Sequence, residues 1–161
     1  MIVVANSSPL IALAKIERFH LLQRIFGRIS IPQGVYEEVV VEGQGQAGAT
    51  EVSEAEWIEV IEVQDRLAVE VLMDELDKGE SETVVLAREL GADWVLMDER
   101  PARRKLELLG IKRIGTLGIL LKAKGAGLID AVRPDMDRLQ AGGFRVSKRV
   151  RRRVLQTAGE D

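Results

Sequence analysis

Apolar positions along the chain come in short bursts, and the spacing within each decides what it forms. Ile2-Val3-Val4-Ala5 and Val95-Leu96-Met97 are continuous and too brief for a helix. The Gly91-Ala92-Asp93 turn signal before the second favours buried strands. Arg28-Ile29-Ser30-Ile31 and Ile111 to Ile114 read as two more strands. Trp57 to Val63 sets Ile58, Val60 and Ile61 against Glu59 and Glu62, the alternation of a half-exposed edge strand.

Helical spacing fills the intervals. Ser8 as N-cap and Pro9 at the first helical position open Leu10 to Ala14. Phe19 to Phe26 ends at Gly27, and Pro32 restarts a helix that turns Val35, Tyr36 and Val39 inward. Further helices are expected from Leu67 to Leu76, from Asp77 to Leu90-Gly91, from Pro101 to Leu109-Gly110, and from a Thr116 cap through Lys124. From Asp130 onward the pattern is helical, with Ser147 capping a basic terminal helix. Glu42 to Gly48 has no packing content and is expected to be a mobile loop. Strands alternating with helices predict an α/β fold of three layers, α/β/α, around a mostly parallel sheet of four to five strands.

At 161 residues the chain is most economically one domain, 1–161, with 130–161 as a helical, basic C-terminal extension. Without cysteine, and with no apolar run near the roughly 18 residues of a membrane span, it reads as a cytoplasmic protein with no membrane partner. A net charge of −3 gives no global pull toward nucleic acid. The distribution is lopsided, however: Arg145, Lys148, Arg149, Arg151, Arg152 and Arg153 crowd one stretch, while Glu51 to Glu82 is rich in acids.

Among so many carboxylates, position must select. Asp98 follows a strand, at the sheet rim where ligands of open α/β sheets collect, or else it caps the helix that starts at Pro101. Glu80 lies three residues after Asp77, so it completes a capping box or points over the rim toward Asp98. Glu38, beside Val35 and Val39, is turned inward more than Glu37. Asn6 is polar directly after an apolar strand, suited either to a turn or helix cap or to offering its oxygen to a hard cation. With one histidine, His20, and no cysteine, zinc sites and Ser–His or Cys–His nucleophiles find no support, and no phosphate-binding glycine loop follows a strand. Oxygen chemistry remains. Carboxylates converging at a rim repel one another unless Mg²⁺ or Mn²⁺ sits among them, and such ions serve phosphodiester hydrolysis.

With these residues in place, the chain resembles a PIN domain, the fold of metal-dependent ribonucleases that include many prokaryotic toxin–antitoxin toxins. More narrowly it is similar to a branch of prokaryotic PIN-like proteins that start with a strand and Asn-Thr/Ser-Ser-Pro-Leu-Ile. The matching pieces are Val4 to Leu13, Ile31-Pro32 with Val35 to Val39, Gly79 to Glu82 through Ala87 to Ala92, Leu96 to Arg100, Gly115 to Gly118 and Gly142 to Arg145. The resemblance implies metal and catalytic positions at Asn6, Glu38, Glu80 and Asp98, where the first is an acid in most active relatives. Glu82 and Glu99 are the nearest spare acids, and Ser7, Ser8 and Thr116 offer hydroxyls to orient water or phosphate. Arg100, Arg103 and Arg104 follow the strand and, with Arg149 and Arg152 of the basic terminus, are candidate RNA contacts. Mg²⁺ or Mn²⁺ is the implied cofactor; RNA, a small antitoxin protein and a second copy of the chain are the implied partners. Asn6 in place of an acid leaves open a catalytically inactive PIN-like module that binds RNA or a protein.

Overall fold

The computed structural model describes residues 1–98 and 100–161; Glu99, one of the spare acids, lies outside the described residues. Five parallel strands, β1 (Val3–Ala5), β2 (Ile29–Pro32), β3 (Ile58–Ile61), β4 (Trp94–Leu96) and β5 (Lys112–Ile114), lie in the order β3-β2-β1-β4-β5. Alternation within the central strands sorts the core into two halves. Val3 and Ala5 of β1 and Leu96 of β4 face one apolar cluster; Val4 and Val95 face the other. The first cluster is closed by α1 (Ser7–Lys15), α2 (His20–Phe26), α4 (Ala49–Glu54), α8 (Thr116–Gly125), α9 (Arg133–Ala141) and α10 (Lys148–Ala158). The second is closed by α5 (Arg66–Leu72), α6 (Lys78–Leu90) and α7 (Pro101–Leu108). This is the three-layer α/β/α arrangement expected from the alternation of strands and helices.

Because every strand runs the same way, all five carboxyl ends share one rim. The chain leaves β1 toward β2 and β3, then crosses back to the other side of β1 for β4 and β5. The direction therefore reverses between β1 and β4, which opens a crevice at the rim just where Asn6 and Asp98 follow their strands. Asn6 N–H donates to the Leu96 carbonyl at 2.9 Å and fixes that juxtaposition.

Several local expectations change. The first helix starts at Ser7 with Asn6 as its cap residue, so Pro9 stands at its third position instead of its first. Gly115, not Thr116, precedes α8. The Pro32 helix begins as α3 (Gln33–Tyr36) and widens into a π turn over Glu37–Glu42. The segment after it carries α4, and within Glu42 to Gly48 both Ala47 and Gly48 pack, Gly48 lying against Val39 and Ile11. Ser147 caps α10 as its sequence suggested, accepting from Val150 N–H at 3.1 Å.

The chain's end is tied back by a single carboxylate. Glu160 accepts from Val132 N–H at 2.7 Å, Arg133 N–H at 2.9 Å and Lys124 Nζ at 3.0 Å, thereby capping α9 from a distance. The Val132 N–H, then that of Arg133 and the Lys124 ammonium, hold its pKa down to about 2 against the opposing effect of burial. Its folded pKa lies below the ordinary value of 4.5, so this stabilisation is present above pH 4.5 and is lost as pH falls toward 2. Glu160→Gln is therefore expected to melt below wild type at pH 7, with the gap narrowing between pH 4.5 and 2 in thermal scans. A gap independent of pH contradicts this.

Candidate metal and nucleic-acid site

The ends of β1, β4 and β5, the starts of α1, α6 and α8, and the π turn build the site. Asn6, 2% exposed, follows β1 and heads α1. Ser7 Oγ donates to Glu38 Oε2 at 3.0 Å and so fastens the π turn to the end of β1. Gly79 marks where these groups meet. The point a Cβ would occupy there lies 3.0 Å from Glu38 Oε1, 3.7 Å from Asp77 Oδ1 and 3.8 Å from Asn6 Oδ1, so a side chain would intrude among three oxygens. The π turn itself requires glycine at its end, because a Cβ on Gly43 would sit 2.5 Å from the Val39 carbonyl oxygen. π turns recur at functional sites. This one overturns the expectation that Glu38 turns inward more than Glu37. Glu38 is the more exposed residue of the two, since the wider turn shifts the helical phase that spacing assumes. Its carboxylate still reaches the rim through Ser7.

Asp98 is held from the start of α8, just after β5. Thr116 N–H donates to Asp98 Oδ1 at 2.8 Å and Thr116 Oγ1 to Oδ2 at 2.7 Å. Asp98 thus caps α8, a helix distant in sequence, instead of the one that starts at Pro101. Thr116, fully buried, orients this carboxylate with both its donors. Gly115 leaves the needed space, since a Cβ there would stand 2.7 Å from Asp98 Oδ1. Asp98 N–H lies 3.4 Å from Ser8 Oγ, and Arg113 donates to the adjacent Met97 carbonyl at 2.7 Å.

Two further acids have hydrogen-bond partners on the elements around the rim. Glu80 and Asp77 form the capping box, with Glu80 N–H donating to Asp77 Oδ1 at 2.7 Å and Asp77 N–H to Glu80 Oε1 at 2.9 Å. Glu82, 1% exposed, accepts from Gly34 N–H at 2.9 Å and faces the Arg66 guanidinium at 3.4 Å. Among the described residues no three His, Asp or Glu side chains come close enough together to hold a metal ion. Asn6 and Glu38 bring oxygens together around Gly79, and Glu38 and Asp98 line one cavity.

Glu38 and Asp98 both line a cavity of about 1040 Å³ that Ser7 and Ser8 border as well. Lys15, Arg103 and Arg145 also line it and form no ion pair with any described residue, while Arg138 there is paired with Asp135. Two carboxylates and three cations without an ion-pair partner among the described residues, lining one cavity, suit a polyanion whose phosphates meet the cations. Of the arginines read from sequence as RNA contacts, Arg103 lines the cavity, whereas Arg100, Arg104, Arg149 and Arg152 are exposed outside it. Lys15 was not singled out by the sequence, and Arg145 only as one member of the basic C-terminal stretch. Lys15 sits in the last turn of a helix, where basic residues are ordinary, and only the fold carries Arg145 to the rim. His20 is exposed at the start of α2 and borders none of these groups.

A three-layer α/β/α protein with polar side chains at the crevice between β1 and β4 is the class that fold and rim together define. A PIN-domain family model matches residues 2–160, and the chain belongs to the PIN-domain family. A search of curated proteins finds no match. The family is nuclease-like. No helix among the described residues is long and apolar enough to cross a membrane.

Proposed function

We propose that the chain is a divalent-metal-dependent ribonuclease that hydrolyses RNA phosphodiesters. One observation carries the proposal: Glu38 and Asp98, on different elements, line one cavity with three cations that have no carboxylate partner among the described residues. Oxygen-only donors suit a hard ion such as Mg²⁺ or Mn²⁺. Asn6, Glu38 and Asp98 would hold it, and when bound it supplies an acidified water and charge stabilisation at the phosphate. The chain's own groups do the rest. Ser7 fixes Glu38, Thr116 fixes Asp98, and Lys15, Arg103 and Arg145 draw the RNA backbone into the cavity. The resemblance supports a finer reading in which the nuclease is the cytoplasmic toxin of a toxin–antitoxin pair, restrained by a small protein and acting as a homodimer.

A second reading, a catalytically inactive module that binds RNA or a protein, is favoured by Asn6 at a buried donor position and by the lack of three clustered acids among the described residues. The two separate in one assay. Wild type is expected to cleave single-stranded RNA in Mn²⁺ and not in EDTA, and Glu38→Gln to lose about 100-fold or more of that rate, the size of effect that follows removal of one charge-stabilising group. RNA binding by wild type without metal-dependent cleavage favours the inactive module.

A further inference from the structure

Glu82 is the most enclosed carboxylate near the rim, yet it does not line the cavity. Its Oε1 accepts from the backbone N–H of Gly34 at 2.9 Å, within the first turn of α3. Its Oε2 faces both terminal nitrogens of Arg66 at 3.4 Å, at the first position of α5. A buried ionised carboxylate is tolerated only when hydrogen bonds and an opposite charge replace its water, and these partners come from two separate elements. Gly34 is shaped for the contact, because a Cβ there would stand 3.0 Å from three atoms of the Glu82 carboxyl group. A Cβ there would push the carboxylate back from this amide by a few tenths of an ångström.

The consequence follows from where Gly34 lies. Four residues later the same helical run presents Glu38, whose Oε2 accepts from Ser7 and whose Oε1 borders Gly79. Gly79 lies three residues before Glu82 on α6. One helix therefore carries both the glycine that makes room for Glu38 and the carboxylate that anchors the root of the Glu38 segment. Farther along α6, Glu89 accepts from Gln64 N–H at 3.2 Å and Asp65 N–H at 2.8 Å, and Arg88 pairs with Asp65 at 3.4 Å, so the start of α5 that supplies Arg66 is tied to the same helix.

We propose that Glu82 is a positioning residue: through Gly34 and Arg66 it sets the place of Glu38 against Asn6, and it binds no ion itself. Its link to activity rests on the ribonuclease reading; its link to the Glu38 segment does not. The two are tested apart. In metal-free protein, hydrogen exchange across residues 33–42 is expected to quicken about tenfold or more in Glu82→Ala, less in Glu82→Gln, whose amide oxygen still accepts from Gly34, and least in Arg66→Met, with β1 and β4 unchanged. In cleavage assays the Mn²⁺ concentration for half-maximal rate is expected to rise in the same order, with the Glu82→Gln rate recovering at saturating Mn²⁺. A merely structural role lowers the melting temperature without that ordered shift in metal dependence. Equal exchange across 33–42 in wild type and Glu82→Ala, or an increase spread evenly through the chain, overturns the proposal. If Glu82→Ala does not fold, Gly34→Ala takes its place, with the same local increase expected and the same absence of it decisive. Local exchange behaving as expected in a protein that never cleaves RNA refutes the nuclease reading and leaves the anchor standing.

Discussion

Asp98→Asn is expected to lower metal-dependent RNA cleavage by about 100- to 1,000-fold while costing only about 1 kcal/mol of stability. The substitution is nearly isosteric. An asparagine oxygen still accepts from Thr116 N–H, and its amide meets Thr116 Oγ1, which turns from donor to acceptor, so both hydrogen bonds at the start of α8 survive. What is lost is the negative charge, together with its modest attraction to the helix terminus. Charge is also what an ion at the rim requires. Cleavage rates in Mn²⁺, with melting temperatures measured alongside, separate the two effects. Equal cleavage by the variant removes Asp98 from the chemistry, and a collapse in melting temperature makes it a structural cap.

The largest effect on stability is expected at the centre of the sheet. Leu96 is fully buried on β4, between β1 and β5, and its side chain faces the cluster that α1 and α8 close. Leu96→Ala removes a buried side chain where hydrogen-bonded strands on both sides hinder collapse into the cavity left behind. A loss of about 3 kcal/mol is expected, or roughly 6–12 °C in a chain of this size. Urea unfolding checks it through a lower midpoint with an unchanged slope. A loss below about 1 kcal/mol would mean that the layers repack freely around β4.

How much of this was legible in the sequence depended on whether a feature was local. The three central strands and the β3 edge were, because continuous or alternating apolar runs bounded by turn residues leave little choice, and the β5 edge showed only as a short apolar-flanked stretch, Ile111 to Ile114. The course of α6 was as well, from the Asp77 cap to Gly91 in the left-handed conformation at its end. Helix α4 escaped because it follows a glycine-rich run and buries only Ala49 and Val52. The π turn escaped because spacing arguments assume 3.6 residues per turn, and this assumption misjudged Glu38.

In the site, sequence position named Asn6, Glu38, Glu80 and Asp98 but could not tell their partners. The capping box of Glu80 was visible as a spacing. Thr116 reaching Asp98, or Gly34 reaching Glu82, joins segments 18 and 48 residues apart, and only the fold brings them together. The empty space at Gly79 and Gly115 leaves a trace in sequence only as a glycine beside a candidate acid. Lys15 and Arg145 illustrate the same limit for charge, since whether they find an ion-pair partner among the described residues depends on what surrounds them in three dimensions.

The proposed chemistry depends on one hard cation being shared by oxygens that arrive from β1, the π turn and β4. A crystal soaked in Mn²⁺ and measured for anomalous scattering tests this directly. The predicted result is a peak at the rim in coordination contact with Asn6, Glu38 and Asp98, and its disappearance in Glu38→Gln. A peak at other residues, or none at high Mn²⁺ concentration in an otherwise identical fold, contradicts it.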